Sequence, residues 1–387
     1  SLGIFGGAGY LIWSWYDGEV VVLANGELDR VREHWRLWTG LGLLVWSFFG
    51  RLIVLPLTSR PDRQRRGADD SEKLQLNRIQ NQRVAGSGGS DLLVETAGPR
   101  DGQPVILVHG WGLDATIWDY VVRDLRQRFF LVRWDLPGLG LSKASNKAIG
   151  LSEFAADLKA VIGLAGGRRV VLVGHSIGGM TIQTLARDHP AFFEENIARV
   201  VLLNTTHTRP QRTTAFSGLV TALRWPLLEP ALWLTRWTGP LSQLAAWQSF
   251  LSGSAHLAAR FGFGRDVTRS QLAATALMQT RNSQSTLAKG NLAMFRWSAT
   301  EALPSFPVPA LILAGDRDLL TRPAASMTMA ELIPQCELQI VDGVGHMGFL
   351  ERPDLYNSAI ARAAEEASAL QLVPPSGQSG VELSASA

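Results

Sequence analysis

Three side chains in this 387-residue sequence stand in an order that suits acyl transfer. Ser176 lies in Gly174-His-Ser-Ile-Gly178, directly after the β-branched run 170–173 and before the helical spacing of 180–186. A Gly-x-Ser-x-Gly at a strand-to-helix turn is a nucleophile elbow, in which the serine takes a strained backbone conformation. Gly174 and Gly178 leave the room that a Cβ would fill. The hydroxyl is then held at a helix N-terminus, whose dipole favours developing negative charge. Asp318 ends Gly315-Asp-Arg-Asp318 after the apolar run 311–314. His346 sits in Gly345-His-Met-Gly348 after the run 338–341. A histidine in that place takes the serine proton as general base, and a carboxylate fixes its tautomer and stabilises the imidazolium. Asp318, two residues further into its loop, is preferred to Asp316 as that acid. Asp135 precedes Ser176, the wrong order for this arrangement, and is expected to stabilise its own turn.

The run 105–108 leads into His109-Gly-Trp-Gly112. Such a loop supplies one oxyanion amide and the residue after the nucleophile supplies the other, here the N–H groups of Trp111 and Ile177. The imidazole of His109 is expected to be a buried strut. His175 is expected to point away from the chemistry, and His207 and His256 have no acidic partner evident in the sequence. Cys336 is the single cysteine, which excludes an internal disulfide and a multi-cysteine zinc site. No metal or organic cofactor is expected.

These residues need a scaffold, and the chain alternates short strands with helical stretches. Runs at 92–96, 105–108, 129–134, 170–173, 200–203, 311–314 and 338–341 read as strands, which predicts an α/β fold with a doubly wound, mainly parallel sheet. Residues 91–205 and 299–370 form the expected core. Between them, 206–298 shows apolar helical stretches and no strand, and is expected to cap the C-terminal edge of the sheet, where open α/β sheets bind ligands. Its Trp225, Trp233, Trp237, Trp247 and Phe250 bury the cap or line an apolar acyl pocket. Residues 59–90 read as a polar linker ending in Gly86-Ser-Gly-Gly-Ser90, with a short helix over 72–82. A chain starting near Ser90 is expected to fold alone. The tail 371–387 is expected to be disordered.

Residues 1–58 form an apolar helical segment of different character. Runs at 2–16 and 37–57 flank a charged stretch, and the second is broken only by Arg51. Roughly 20 apolar residues span a bilayer, and the first run reaches that length only if residues upstream extend it. A membrane hairpin, an interfacial anchor and a buried helical extension all fit. Arg60, Arg63, Arg65 and Arg66 follow at once and read as a membrane-flanking group that places the rest of the chain on the cytoplasmic side. The expected partner is therefore membrane lipid through residues 1–57. A net charge of +3, without a basic stripe, disfavours nucleic acid.

Between residues 92 and 369 the sequence resembles the α/β-hydrolase superfamily. The resemblance rests on His109-Gly-Trp-Gly112, Asp135-Leu-Pro-Gly-Leu-Gly-Leu-Ser142, Gly174-His-Ser-Ile-Gly-Gly179, Gly315-Asp-Arg-Asp318 and Gly345-His346. It implies a serine hydrolase of carboxylic esters that works through an acyl-enzyme, with Ser176, His346 and Asp318 as its triad. Carbon–carbon bond hydrolases and cofactor-free perhydrolases share these motifs, and a non-catalytic ligand-binding member of the fold is the remaining alternative. Apolar cap residues and a membrane-proximal N-terminus favour a lipophilic acyl group.

Overall fold

The computed structural model describes residues 2–63, 72–145 and 149–372. Its centre is an eight-stranded sheet in the order β10-β9-β8-β7-β5-β6-β4-β3. The strands are β3 (Asn81–Ala85), β4 (Asp91–Ala97), β5 (Pro104–Val108), β6 (Phe130–Trp134), β7 (Val170–His175), β8 (Ile197–Leu203), β9 (Ala310–Gly315) and β10 (Cys336–Val341). The six from β5 onward run parallel, while β4 is antiparallel to both β6 and β3. Parallel strands buried on both faces need unbroken apolar runs rather than alternation. In β5, Val105 and Leu107 join one core cluster while Ile106 and Val108 join the other.

The chain between β8 and β9 is helical, as the missing strand rhythm over 206–298 requires. Its longer helices are Glu229–Trp237, Gly239–Ser252, Arg269–Arg281 and Gln284–Met294. The cap tryptophans differ from expectation. Trp225 and Trp237 are 65% and 77% exposed, and Trp233 and Trp247 are 41% and 39% exposed. None of the four lines the pocket that holds Ser176 and His346.

Residues 64–71 of the expected linker lie outside the described residues; the described part of 59–90 is not a free linker, and the helix expected over 72–82 is absent. Residues 72–80 cross the body as an extended strap, with Leu74 buried, and β3 pairs with β4 from Asn81↔Glu95 to Ala85↔Asp91. An exposed edge strand carries no alternating apolar signal, so it is invisible to periodicity. The Gly/Ser stretch is the turn between these two strands, fixed by the Ser90 hydroxyl donating to Asp157 Oδ1 at 2.6 Å. The strap is anchored by Arg78, which reaches Glu95 at 3.0 Å and Asp135 at 2.9 Å. Both carboxylates are fully buried. A chain starting near Ser90 would lose these contacts.

The N-terminal segment comprises α1 (Leu2–Asp17), a hairpin of β1 (Glu19–Val22) and β2 (Leu28–Val31), α2 (His34–Phe49) and α3 (Arg51–Thr58). α1 packs on α2 at Gly40, where a Cβ would lie 2.8 Å from Ile12 Cγ1. The run 37–57 is bent by 61° between α2 and α3. The bend occurs at Gly50, where a Cβ would meet the Ser252 carbonyl, so α2 lies on the helix Gly239–Ser252 and α3 on the helix Ser254–Arg260. Among the described residues no single helix is long and apolar enough to cross a membrane, although the bent pair α2–α3 passes by length and composition. Of the basic group, Arg60 is paired with Glu72 at 2.7 Å rather than free, and Arg65 and Arg66 lie outside the described residues. The last helix, Pro353–Leu372, runs past the expected boundary at 370, and the rest of the expected tail also lies outside the described residues.

Arg78→Met is expected to lower the free energy of unfolding by on the order of 3 kcal/mol, because it strands buried carboxylate charge. Urea denaturation measures the effect, and a change below about 1 kcal/mol would mean that the strap does not hold the body together.

Candidate active site

Ser176 follows β7 and precedes the helix Ile177–Asp188, at φ 53° and ψ −119°. Its glycine neighbours are sterically required. A Cβ on Gly178 would lie 2.1 Å from the Val108 carbonyl oxygen, and one on Gly174 would lie 2.6 Å from the Gly179 nitrogen. The Ser176 N–H donates to Leu203 O at 3.0 Å and its carbonyl accepts from the Thr205 hydroxyl at 2.6 Å.

His346 and Asp318 come together from the loops after β10 and β9. Their Nδ1 and Oδ2 atoms are 2.8 Å apart, with Asp318 buried. The aspartate is held at both oxygens. Leu320 and Thr321 amides donate to Oδ1 at 2.8 Å each, and the Thr321 hydroxyl and Asn204 Nδ2 donate to Oδ2 at 2.7 and 3.1 Å. Burial pushes its pKa up, but His346 and these hydrogen bonds outweigh that and hold it below the usual carboxylate value. Asp316, the rejected alternative, instead accepts from the Gly343 amide at 2.7 Å.

The Trp111 amide donates to no group among the described residues, and Ile177 is the first residue of its helix, where N–H groups lack intrahelical partners. Trp111, Ser176 and His346 line one pocket of about 370 Å³, whose wall includes Met180, Val220, Phe261 and Met294. Ile177 follows Ser176 directly, and Asp318 stands behind His346. The Ser176 hydroxyl makes no hydrogen bond to His346 among the described residues; such contacts are often loose without substrate and tighten in its complex.

Four of the other histidines have separate places in the fold. His109 is buried and bridges two loops: Nδ1 donates to Gly110 O at 2.8 Å and Nε2 accepts from the Leu136 amide at 2.9 Å. Burial lowers its pKa. Asp135 accepts from the Ala115 and Leu141 amides at 2.7 Å each, on top of its pair with Arg78. His175 points behind the nucleophile, donating from Nε2 to the His346 carbonyl at 2.9 Å. Burial and the neighbouring His346 press its pKa well down. His207 meets the Thr300 hydroxyl, and His256 lies in a separate cleft of the cap.

Several positioning groups escaped the sequence reading. Asn204, at φ 45°, donates to both Asp318 and Gly345 O while accepting from the Tyr356 hydroxyl. Glu351 takes the Gly345 amide at 2.8 Å and the Gly264 amide at 2.9 Å, tying the histidine loop to the cap. Thr321 had a weak signal, three residues after Asp318. Asn204 had only its place just after the strand run, and Glu351 had none.

A family model described as alpha/beta hydrolase family matches residues 105–359. Pimeloyl-[acyl-carrier protein] methyl ester esterase of Nitrosomonas europaea is 28% identical over 270 residues, which is 68% of this chain and 96% of that protein. The magnesium-chelatase 30 kDa subunit of Rhodobacter capsulatus is also 28% identical, over 67% of this chain and 86% of its own length. Among solved structures, an esterase from Exiguobacterium antarcticum superposes with a TM-score of 0.61 over 74% of this chain and 100% of its own, at 19% identity.

Asp318→Asn is expected to lower kcat by about 10⁴, since an amide favours the wrong histidine tautomer, while Asp316→Asn stays within about threefold of wild type. The reverse ranking in ester turnover would overturn the assignment of the acid. Because the Asp318 pKa is depressed on folding, the stability it lends is full above the ordinary carboxylate range and is lost as pH falls through the lowered value. Acid titration of wild type against Asp318→Asn therefore converges at low pH.

Proposed function

The chain belongs to the α/β-hydrolase family, and we propose that it is a serine hydrolase that cleaves carboxylic esters with a lipophilic acyl group. The observation that carries this reading is the buried Asp318–His346 pair, at 2.8 Å, opening on a pocket that also holds the elbow serine. In this mechanism Ser176 Oγ attacks the acyl carbon and passes its proton to His346, whose imidazolium Asp318 stabilises. The amides of Trp111 and Ile177 receive the oxyanion, each worth about 10²–10³ in rate. Collapse expels the alcohol, protonated by His346, and leaves an acyl-enzyme. Water then gives a proton to His346 as it attacks the acyl carbon, and His346 returns that proton to Ser176 Oγ as the acyl–Oγ bond breaks and the acid leaves. His175 is poorly suited to compete as base, because the nitrogen left to accept a proton, Nδ1, is buried, and burial and the neighbouring His346 press its pKa well down. The esterase name of the Nitrosomonas europaea relative supports an ester as substrate, and the apolar pocket wall supports a hydrocarbon acyl chain.

The same reading places the protein at a membrane through residues 1–57, with the hydrolase body on the cytoplasmic side. Trp13, Trp38, Phe49 and Leu57 of the N-terminal helices are 60%, 68%, 59% and 79% exposed. The cap carries exposed tryptophans of its own, Trp225 and Trp237 above all. Large exposed apolar surfaces mark interaction sites, and tryptophan is the residue type enriched at membrane interfaces. The bend at Gly50 favours an interfacial attachment over a straight span.

Ser176→Ala is expected to reduce hydrolysis of a p-nitrophenyl ester series by about 10⁴–10⁶, with wild-type kcat/KM rising with acyl length. Wild-type turnover in the variant would end the assignment, and a preference for vinylogous diketones would redirect it to carbon–carbon cleavage. In cell fractions the full chain is expected to stay with membranes through a carbonate wash, and a monodisperse protein without detergent would contradict the attachment.

A further inference from the structure

A second cleft, of about 270 Å³, lies where α3 meets the cap, lined by Arg51, Leu55 and Pro56 on one side and Phe250, His256 and Arg269 on the other. Its polar content is of one sign, with two guanidinium groups and no carboxylate in the lining. Arg51 sits over the Phe250 ring, 5.2 Å from its centroid. Neither Arg51 nor Arg269 forms an ion pair among the described residues. His256 stacks on the same Phe250 ring with centroids 4.8 Å apart, is 1% exposed, and its buried Nδ1 has no hydrogen-bond partner. Burial first, and Arg51 second, push its pKa down to about 4, so the ring is neutral near pH 7.

Buried polar atoms in folded proteins are nearly always partnered, so an orphaned nitrogen beside two arginines without an ion pair among the described residues marks a place for an anion. Arginine's planar fork matches phosphate oxygens, and an absence of carboxylates argues against a metal. The rest of the wall is apolar, and Leu52, which also lines the cleft, is 64% exposed next to the exposed Ile53 and Leu57 on the same helix. We propose that this cleft binds the phosphate of an anionic lipid headgroup, with Arg51 and Arg269 on its oxygens, His256 donating a hydrogen bond and the acyl chains leaving along Leu52. The lipid as source rests on the membrane attachment proposed above, whereas the oxyanion site does not. It also accounts for Arg51, the one charge that interrupts the apolar run 37–57. The helix Ser254–Arg260 separates this cleft from the catalytic pocket, turning His256 to the one and Ala258 and Ala259 to the other.

The test is flotation of the full chain with vesicles of phosphatidylcholine alone and of an equal mixture with phosphatidylglycerol. The wild type is expected to prefer the anionic vesicles by about fivefold or more, at roughly that factor per arginine. R51Q/R269Q is expected to lose the preference while still binding neutral vesicles. R269Q alone, at an exposed position, should shift in the same direction without touching packing, and thermal unfolding of each variant checks the fold. R128Q/R362Q removes the same charge from the hydrolase body, and a loss equal to that of R51Q/R269Q would overturn the site in favour of diffuse attraction. No preference in the wild type, with tryptophan fluorescence that responds to inorganic phosphate only when both arginines are present, would overturn the lipid assignment in favour of a free phosphate. No response to either probe would overturn the site altogether. Ester turnover is read separately, so failure of the catalytic reading leaves this result intact.

Discussion

Holding Ser176 at φ 53° costs roughly 1–3 kcal/mol, and the middle of the sheet is arranged to hold it there. The backbone of β5 presses on Gly178, β8 takes the Ser176 amide through Leu203, and Thr205 takes its carbonyl. Three adjacent strands therefore share the strain, which is possible only because the parallel sheet brings their C-terminal ends to one edge. That edge is also where the loops carrying Trp111, Asp318 and His346 emerge. The backbone conformation of Ser176 thus ties the elbow to the edge from which these loops emerge.

Buried charge organises the two flanks of the site. On one side, Asp318 is satisfied by two amides, a hydroxyl, an amide side chain and His346, so its carboxylate stays ionised despite burial. On the other side, Asp135 and Glu95 are compensated by Arg78, with Arg133 also on Glu95 at 3.2 Å. His109 and Asp135 connect this second centre to the loop that presents the Trp111 amide. A low-dielectric interior makes such centres costly when half-satisfied, so each fixes the loops around it.

The cap and the N-terminal helices form one continuous attachment to this core. Glu351 ties the cap at Gly264 to the histidine loop, the Trp111 indole sits in the space left by Gly290, and α2 and α3 lie on two successive cap helices. The apolar side chains that this packing leaves outward face solvent on both units.

The sheet, the elbow, the histidine loop and the helical insertion were legible in the sequence, because each leaves a local mark. Fully buried strands are unbroken apolar runs, the elbow needs glycines at fixed spacing, and a cap interrupts the strand rhythm. The choice of Asp318 over Asp316 rested on two residues of loop length, and only the fold showed which carboxylate reaches His346. The strap at 72–80 and the edge strand β3 were invisible, since an exposed strand alternates nothing and a Gly/Ser turn reads as a linker. Asn204, Glu351 and Arg78 were likewise silent. Their partners lie far off in sequence, 114 residues away for Asn204 and Asp318, and only the tertiary structure brings them within hydrogen-bond distance. Local periodicity records which face of an element is buried, whereas long-range polar pairing depends on which elements become neighbours.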